Sequence, residues 1–593
     1  MGVETKKNSK IFHPFLIAFF PIIAIYSVNI GFIQLEEFIL STLLIVGSAF
    51  LFFLCLKYIL KNGKKAALIV SLSFIIFFSF GHVYNMLNQV SIGDTDLGSN
   101  RILLPIFTIL FGIGSFLIIK TKRTLGNATS IVNAISVVFI SVIVVMVGIE
   151  TFGCDECLIQ QTSARQLDFF SDDKIDFSPY FEAHSFSISE SDSLPNVYFI
   201  ILDGYPRNDV LKKHVNFDNN EFTNMLEQRG FHIAKNSFAN YPMSVQSIPA
   251  TMNLRYINFL ADEIGSEVRN YKPLNEKDYG LYANNQVIKN FKEMGYKIVT
   301  FNTFALHLHE NPLSDLTVCH RNIHLLDNRL LDTLARTTMF GYFIERWSED
   351  EMRQVTVCAL DEFSEASEQF DEPVFAWAHV MMPRPPWIFG PNGEHITPGK
   401  PLLITDNPEF RGSGWEPKYQ YIQQVEFANK KTMQIVENIL EKDSSAIIIV
   451  QGDHGTAWDL NWLEPSKDDV YQRMRNLDAI YFPDKEKRDL LLDNRTLVNT
   501  FRTIFNAYYD SNYELLENKM YWGWNAKPYY FEEVTNEICV RILDRKIIEY
   551  EVEKNQLNAS FHGFILDSKK IFSTFDILAS ASINEGYGLA LRE

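Results

Sequence analysis

Five membrane-spanning helices followed by an extracytoplasmic α/β domain are the architecture that this 593-residue sequence predicts. Three observations carry it. Five apolar runs of spanning length fall within the first 150 residues. Lysine and arginine gather in alternate loops between those runs. The rest of the chain alternates short buried-strand patterns with amphipathic helix patterns, as a sheet covered by helices on both faces requires.

The runs lie at about 11–33, 38–60, 66–86, 102–119 and 129–149. A bilayer core takes roughly 20 apolar residues per helix. The first run is too long for a cleaved signal peptide and lacks a small-residue cleavage site. Pro14 and Pro21 within it are compatible with a lipid-embedded helix. Lys6, Lys7 and Lys10 precede the first span, and Lys57, Lys61, Lys64 and Lys65 lie between the second and third. Lys120, Lys122 and Arg123 lie between the fourth and fifth. The other loops hold Glu36 and Glu37, then Asp94, Asp96 and a single Arg101. Three clusters on one side place the N-terminus in the cytoplasm and everything after Glu150 outside.

The organisation expected is therefore a transmembrane domain (1–150), a polar connector (151–190), an α/β domain (191–530) and a C-terminal extension of unknown role (531–593). A net charge of −18 argues against nucleic acid as a partner, because phosphate binding wants a basic surface. Cys154 and Cys157 form "CDEC", which fits a short-loop disulfide in an oxidising compartment better than a redox motif. An odd number of cysteines beyond the membrane leaves at least one free thiol. His307, His309, Cys319, His320 and His324 are irregularly spaced and make a weak second metal candidate.

Strand patterns are "NVYFIIL" (196–202), "YKIVTFNTF" (296–304), "PVFAWAHV" (373–380), "AIIIVQ" (446–451) and "LDAIYFP" (477–483). Helical patterns include "NEFTNMLEQRG", "NNQVIKNFKEMG" and 416–442. In open α/β sheets, ligands collect at the carboxyl ends of strands. Asp203, His379, Asp453 and His454 all fall there. In "IIIVQGDHGT", glycines flanking Asp453 and His454 would let the backbone turn both side chains toward one ion. Carboxylate with imidazole suits zinc or manganese rather than calcium or magnesium. "NYPMSVQSIPATMNLRY" (240–256) supplies hydroxyls at a helix start, where an alkoxide or a phosphate is favoured. By itself a serine there is also an ordinary cap.

Taken in order, "NVYFIILDGYPR", "NYPMSVQSIPATMN", "AHVMMPRPPW" and "IIIVQGDHGT" resemble the sulfatase-like branch of the alkaline phosphatase superfamily. Its membrane-anchored members include lipoteichoic acid synthases and phosphoethanolamine transferases, which also carry five spans before an extracytoplasmic catalytic domain. "LVNTFRTIFNAYY" (497–509) looks like a further stretch common among them. The resemblance covers the anchor and about 191–530, and implies an alkaline-phosphatase-like fold in a bacterial inner membrane, facing the periplasm.

Carried over position by position, it implies one divalent metal, zinc or manganese, held by Asp203, Ser244, Asp453 and His454. Ser244 becomes the nucleophile and His379 a general acid or substrate contact. The transferases show Thr-x-x-Ser-x-Pro where this chain has Ser244, Ser247 and Pro249, so the nucleophilic hydroxyl is kept. True sulfatases carry Cys/Ser-x-Pro-x-Arg. Thr251 stands where that arginine would be, which argues against sulfate ester hydrolysis and leaves Ser247 a second candidate to attack or bind substrate. Arg384 replaces a histidine that contacts substrate phosphate in relatives; it keeps bidentate binding and gives up proton transfer. The activity implied is transfer of a phospho-substituent from a lipid donor to an envelope glycan or lipid. A hydrolase of the same fold uses the same residues. An inactive polymer-binding scaffold would be expected to have a broken ligand set.

Overall fold

The computed structural model describes residues 10–28, 33, 35–87, 91–92, 95–152, 177–180, 186, 194–266, 268, 272–275, 280–302, 311–319, 328–396, 415–524, 527–535, 577–582 and 586–591. The "CDEC" motif, Cys539, His307, His309, His320, His324 and most of the expected connector and extension lie outside these residues. The chain divides into two compact units, Met1–Thr535 and Asn536–Glu593. The described part of the second is a hairpin pairing Ile577–Ser582 with Gly586–Leu591.

Five apolar helices open the first unit: α1 (His13–Val28), α2 (Leu35–Leu60), α3 (Gly63–Leu87), α4 (Asn100–Lys120) and α5 (Gly126–Phe152). The last four are long and apolar enough to cross a membrane. At 16 residues, α1 extends about 24 Å, short of a bilayer core of about 30 Å. Helices close all their backbone hydrogen bonds internally, which hydrocarbon demands. Ala18, Ala49, Ala66 and Ala67 pack α1, α2 and α3 together, small side chains permitting close approach. Polar groups inside the bundle pair with one another: His13 Nδ1 lies 2.6 Å from Ser71 Oγ, and His13 N donates to Asn133 Oδ1. Lys65 Nζ donates to Ile119 O and Thr121 O at the carboxyl end of α4, which brings two lysine-bearing loops to one end of the bundle.

The α/β part is built on a seven-stranded sheet. Its strands are β1 (Val197–Leu202), β2 (His232–Ile233), β3 (Lys297–Phe301), β4 (Leu316–Val318), β5 (Val374–Val380), β6 (Ile447–Gly452) and β7 (Asp478–Tyr481), in the order β2-β7-β6-β1-β5-β3-β4. β1 is buried along its whole length, as a central strand covered on both faces must be. Val197, Phe199 and Ile201 face a core that also holds Ile248, Phe291, Phe501 and Phe505. Tyr198 points the other way, against Phe363.

Parallel register sets Leu202 opposite both Val380 and Gly452. Asp203 and Asp453, each one residue further on, therefore leave the sheet side by side. β7 runs antiparallel to β6. The physical reason is that the chain stays at the carboxyl end of β6: Gly452 N donates to Leu477 O, and Pro206 bridges Asn476, so β7 starts from that end.

After β4 the chain leaves the sheet. It forms α7 (Arg329–Arg336) against α1 and α2, then α8 (Gly341–Glu362). Helix α6 (Ser244–Met252), which carries the candidate Ser244, precedes them, and α9 (Lys418–Lys442) and α10 (Thr500–Tyr508) follow. Cys319 is disulfide-bonded to Cys358 of α8. This removes Cys319 from the second metal candidate, because a disulfide sulfur has no thiolate to offer a metal; its histidines lie outside the described residues.

Candidate metal-binding active site

Asp203, Asp453 and His454 offer ligand atoms that all lie within 4.8 Å of one another, and all three residues are buried. Main-chain groups aim these side chains. Asp453 Oδ1 accepts from Gly204 N and from His454 N, both at 3.0 Å, which leaves Oδ2 without a hydrogen-bond partner. Asp203 Oδ1 likewise has none. His454 Nδ1 lies 2.9 Å from Gly455 O. A carbonyl only accepts, so Nδ1 carries the proton and Nε2 keeps its lone pair, the arrangement typical of a metal-ligating histidine.

Neither Gly452 nor Gly455 is in the left-handed backbone region, so the expectation of a glycine-enabled sharp turn gives way to a steric one. A Cβ on Gly452 would stand 2.1 Å from Tyr205 O, and one on Gly455 would stand 2.1 Å from Gln472 O. The loop is packed too closely for any side chain at either position.

Ser244 is the first residue of α6, and its Oγ lies 3.2 Å from His454 Nε2. His454 Nε2 is in turn 3.5 Å from Asp453 Oδ2 and 3.6 Å from Asp203 Oδ1. His379, on β5, points its Nε2 at the same carboxylates, 3.4 Å from Asp203 Oδ2 and 3.9 Å from Asp453 Oδ2. Arg384 completes the ring, with Nη1 3.3 Å from Asp203 Oδ2 and its main-chain N donating to Asp203 O. Six of the seven residues singled out from sequence thus have side chains in one cluster. Ser247 differs: it is buried, and its hydroxyl donates to Asp453 O at 2.7 Å, so it braces the Asp-His loop.

Burial on its own would raise the pKa of Asp203. The Arg384 guanidinium first, and then His379 beside it, outweigh it and hold this carboxyl well below the usual carboxylate range. Tyr282 is fully buried nearby. Burial first, then the charges of Asp453 and Asp203, push its hydroxyl well above the usual value.

One residue escaped the sequence reading. Arg473 is fully buried, donates to Pro242 O ahead of Ser244 and to Gly455 O behind His454, and has Nη2 3.3 Å from His454 Nε2. It ties the serine loop to the Asp-His loop. Its signal was an arginine in "VYQRMRNLDAIYF", where the helix Lys467–Met474 packs down before β7.

The donor set fits a divalent cation. Two buried carboxylate oxygens without partners, an imidazole lone pair and a hydroxyl converge, and burying like charges this close is costly unless a cation lies between them. Carboxylate with imidazole is chemistry suited to zinc or manganese.

No protein-family model and no curated protein matches the chain. Among solved structures it is similar to the zinc complex of the C-terminal periplasmic domain of EptC from Escherichia coli, with 11% identity and a TM-score of 0.40 over 59% of this chain and 95% of that one. It is also similar to the integral membrane protein lipooligosaccharide phosphoethanolamine transferase A from Neisseria meningitidis, with 11% identity and a TM-score of 0.35 over 87% of this chain and 95% of that one. A third is the phosphonate monoester hydrolase of Agrobacterium radiobacter, with 13% identity and a TM-score of 0.36 over 55% of this chain and 80% of that one. At such identities and TM-scores a functional reading has to rest on the atoms of the site itself.

Proposed function

We propose that the chain is a membrane-bound, metal-dependent phosphotransferase. It moves a phosphoglycerol- or phosphoethanolamine-like substituent from a lipid donor to an envelope glycan or lipid through a phospho-serine intermediate. The observation that supports this most is the junction of the Ser244 hydroxyl with the buried Asp203, Asp453 and His454 cluster at the helix start. Asp203, Asp453, His454 and Ser244 would hold one zinc or manganese ion. When bound, such an ion lowers the pKa of a coordinated hydroxyl and offsets charge on a phosphoryl oxygen.

This chain's residues do the rest. Ser244 Oγ attacks phosphorus as the donor's lipid alcohol departs, leaving a phosphate ester on the serine. The N-terminus of α6 presents main-chain N–H groups to the developing charge. Arg384, held by its contacts with Asp203, presents its planar fork to the non-bridging oxygens. His379, with Nε2 beside Asp203 Oδ2, holds the proton for the leaving oxygen. An acceptor hydroxyl then attacks the phospho-serine and restores Ser244. Arg473 positions Ser244 and His454 relative to each other. Ser247 steadies the Asp453 carbonyl.

The five-helix anchor favours a lipid donor, which lies in the plane of the bilayer. The lysine-rich loops put the site outside the cytoplasm, where envelope polymers are. Metal analysis of the purified full-length protein and assay of a Ser244→Ala variant test the reading. One zinc or manganese per chain and loss of transfer are expected. A metal-free wild type that is active, or undiminished transfer by Ser244→Ala, would overturn it. Release of product to water alone, with no acceptor modified, would make the enzyme a hydrolase.

A further inference from the structure

The segment between β4 and β5 is seated on the membrane bundle. Leu330 and Leu334 of α7 share a core with Ile22 and Ile33, and Met339 packs beside Phe80, Leu103 and Phe107. Asn328 caps α7, accepts from Ser41 Oγ and donates to Glu37 O. Gly81 N of α3 donates to Thr337 O at 3.0 Å, and a Cβ on Gly81 would stand 2.5 Å from that oxygen, so only glycine admits the contact. These contacts fall at the end of the bundle opposite the lysine loops.

From this seat α8 begins with Phe340, Phe343 and Trp347, spaced to share one helix face. They are 59%, 61% and 54% exposed. The Phe340 ring lies 5.2 Å from that of Phe77 in α3. Phe77 lies ten residues before the Leu87 end of α3, within its apolar stretch. Phe340 therefore touches a span-length apolar helix within its apolar stretch while most of its own surface stays exposed. Trp347 lies about 10 Å further along α8; tryptophan is enriched at membrane–water interfaces.

We propose that Phe340, Phe343 and Trp347 form a membrane-contact face that inserts into the outer leaflet. Its occupant is the phospholipid bilayer around this same chain. The argument is continuity: the face begins in ring contact with a membrane span, and Phe343 and Trp347 extend it along α8 with more than half of each side chain's surface exposed. Farther along the same helix, Arg353 donates to Ile388 O and Gly393 O and stacks over Phe389, on the loop that begins with Arg384. One rigid helix thus joins the bilayer surface to the arm that carries a candidate substrate-binding residue. About 18 Å of helix axis separates Gly341 from Arg353. The membrane contact stands without the phosphotransferase reading.

Tryptophan emission tests it. All eight tryptophans lie beyond the five membrane helices, and Trp377, Trp387, Trp415, Trp458, Trp462 and Trp522 are buried in the α/β part. Full-length protein is reconstituted into phosphatidylcholine vesicles with acyl chains brominated near the headgroup. The expected result is quenching of an emission component that Trp347→Phe lacks. A second arm places a thiol by Phe343→Cys and cross-links at low protein-to-lipid ratio. Equal quenching in wild type and Trp347→Phe would overturn the proposal. So would efficient cross-linking of two chains through Cys at 343, which would make the face a contact between copies. Neither arm reads catalysis, so failure here is distinct from failure of the functional reading.

Discussion

Two places in this molecule break the usual distribution of side chains, in opposite senses. At the carboxyl end of the sheet, Asp203, Asp453, His379 and His454 are buried around two carboxylate oxygens that no donor reaches. At the start of α8, Phe340, Phe343 and Trp347 are exposed beside a membrane helix. Buried charge wants a counter-charge, and exposed aromatic surface wants an apolar neighbour. Each anomaly points to a partner from outside the chain, a cation for the first and a bilayer for the second. α8 and its cross-link from Cys358 to Cys319 tie the second place to the loops of the first.

Breaking the first anomaly should have the larger effect. Asp453→Ala removes a carboxylate whose other oxygen also orients Gly204 and His454. Transfer should fall about 1000-fold or more, with bound metal lost in elemental analysis. Activity within a few-fold of wild type would break the comparison at its root. Arg384→Ala should cost about 100-fold in kcat/KM for the phospho-donor.

The same variant sharpens the electrostatic side. The folded-state pKa of Asp203 is depressed despite burial, with Arg384 the first of the groups that depress it. A depressed carboxyl contributes stability that is present above its unfolded value of about 3.9 and is lost as pH falls toward the folded value. In the metal-free protein, Arg384→Ala should therefore be less stable than wild type at neutral pH, by about 3 kcal/mol. The gap should narrow as pH drops below about 4. Thermal melts at stepped pH check the sign; a gap that widens in acid would refute it.

Smaller effects separate support from chemistry. Ser247→Ala leaves the buried Asp453 carbonyl without its hydroxyl donor and should cost about 1 kcal/mol in melting studies while transfer persists. Trp347→Ala should move stability in detergent by no more than about 0.5 kcal/mol, because detergent and water both tolerate the exposed site.

Much of this was legible in the chain because its signals are local. Apolar runs, strand patterns ending on Asp203 or Asp453, and the Ser244 turn each depend on neighbours in sequence. What was hidden depends on distant pairing. The antiparallel β7 follows from where the chain re-enters the sheet, and nothing in "LDAIYFP" encodes direction. The pattern "RLLDTLAR" is visibly amphipathic, yet its partner is the membrane bundle nearly 300 residues earlier. Arg473 bridges two loops that meet only after folding. Cys319 and Cys358 showed no pairing signal either. In sequence Ser244 was the first candidate to attack and Ser247 the second. Their hydroxyls part ways in the fold, one toward His454 Nε2 and the other toward a main-chain carbonyl.

That divergence makes one measurement decisive. Purified protein is incubated with headgroup-labelled phospholipid and no acceptor, quenched in acid, digested and mapped by mass spectrometry. The account predicts a labelled phosphoester on Ser244, absent from Ser244→Ala and retained by Ser247→Ala. An adduct on Ser247, or a competent enzyme that forms no serine adduct, would contradict it.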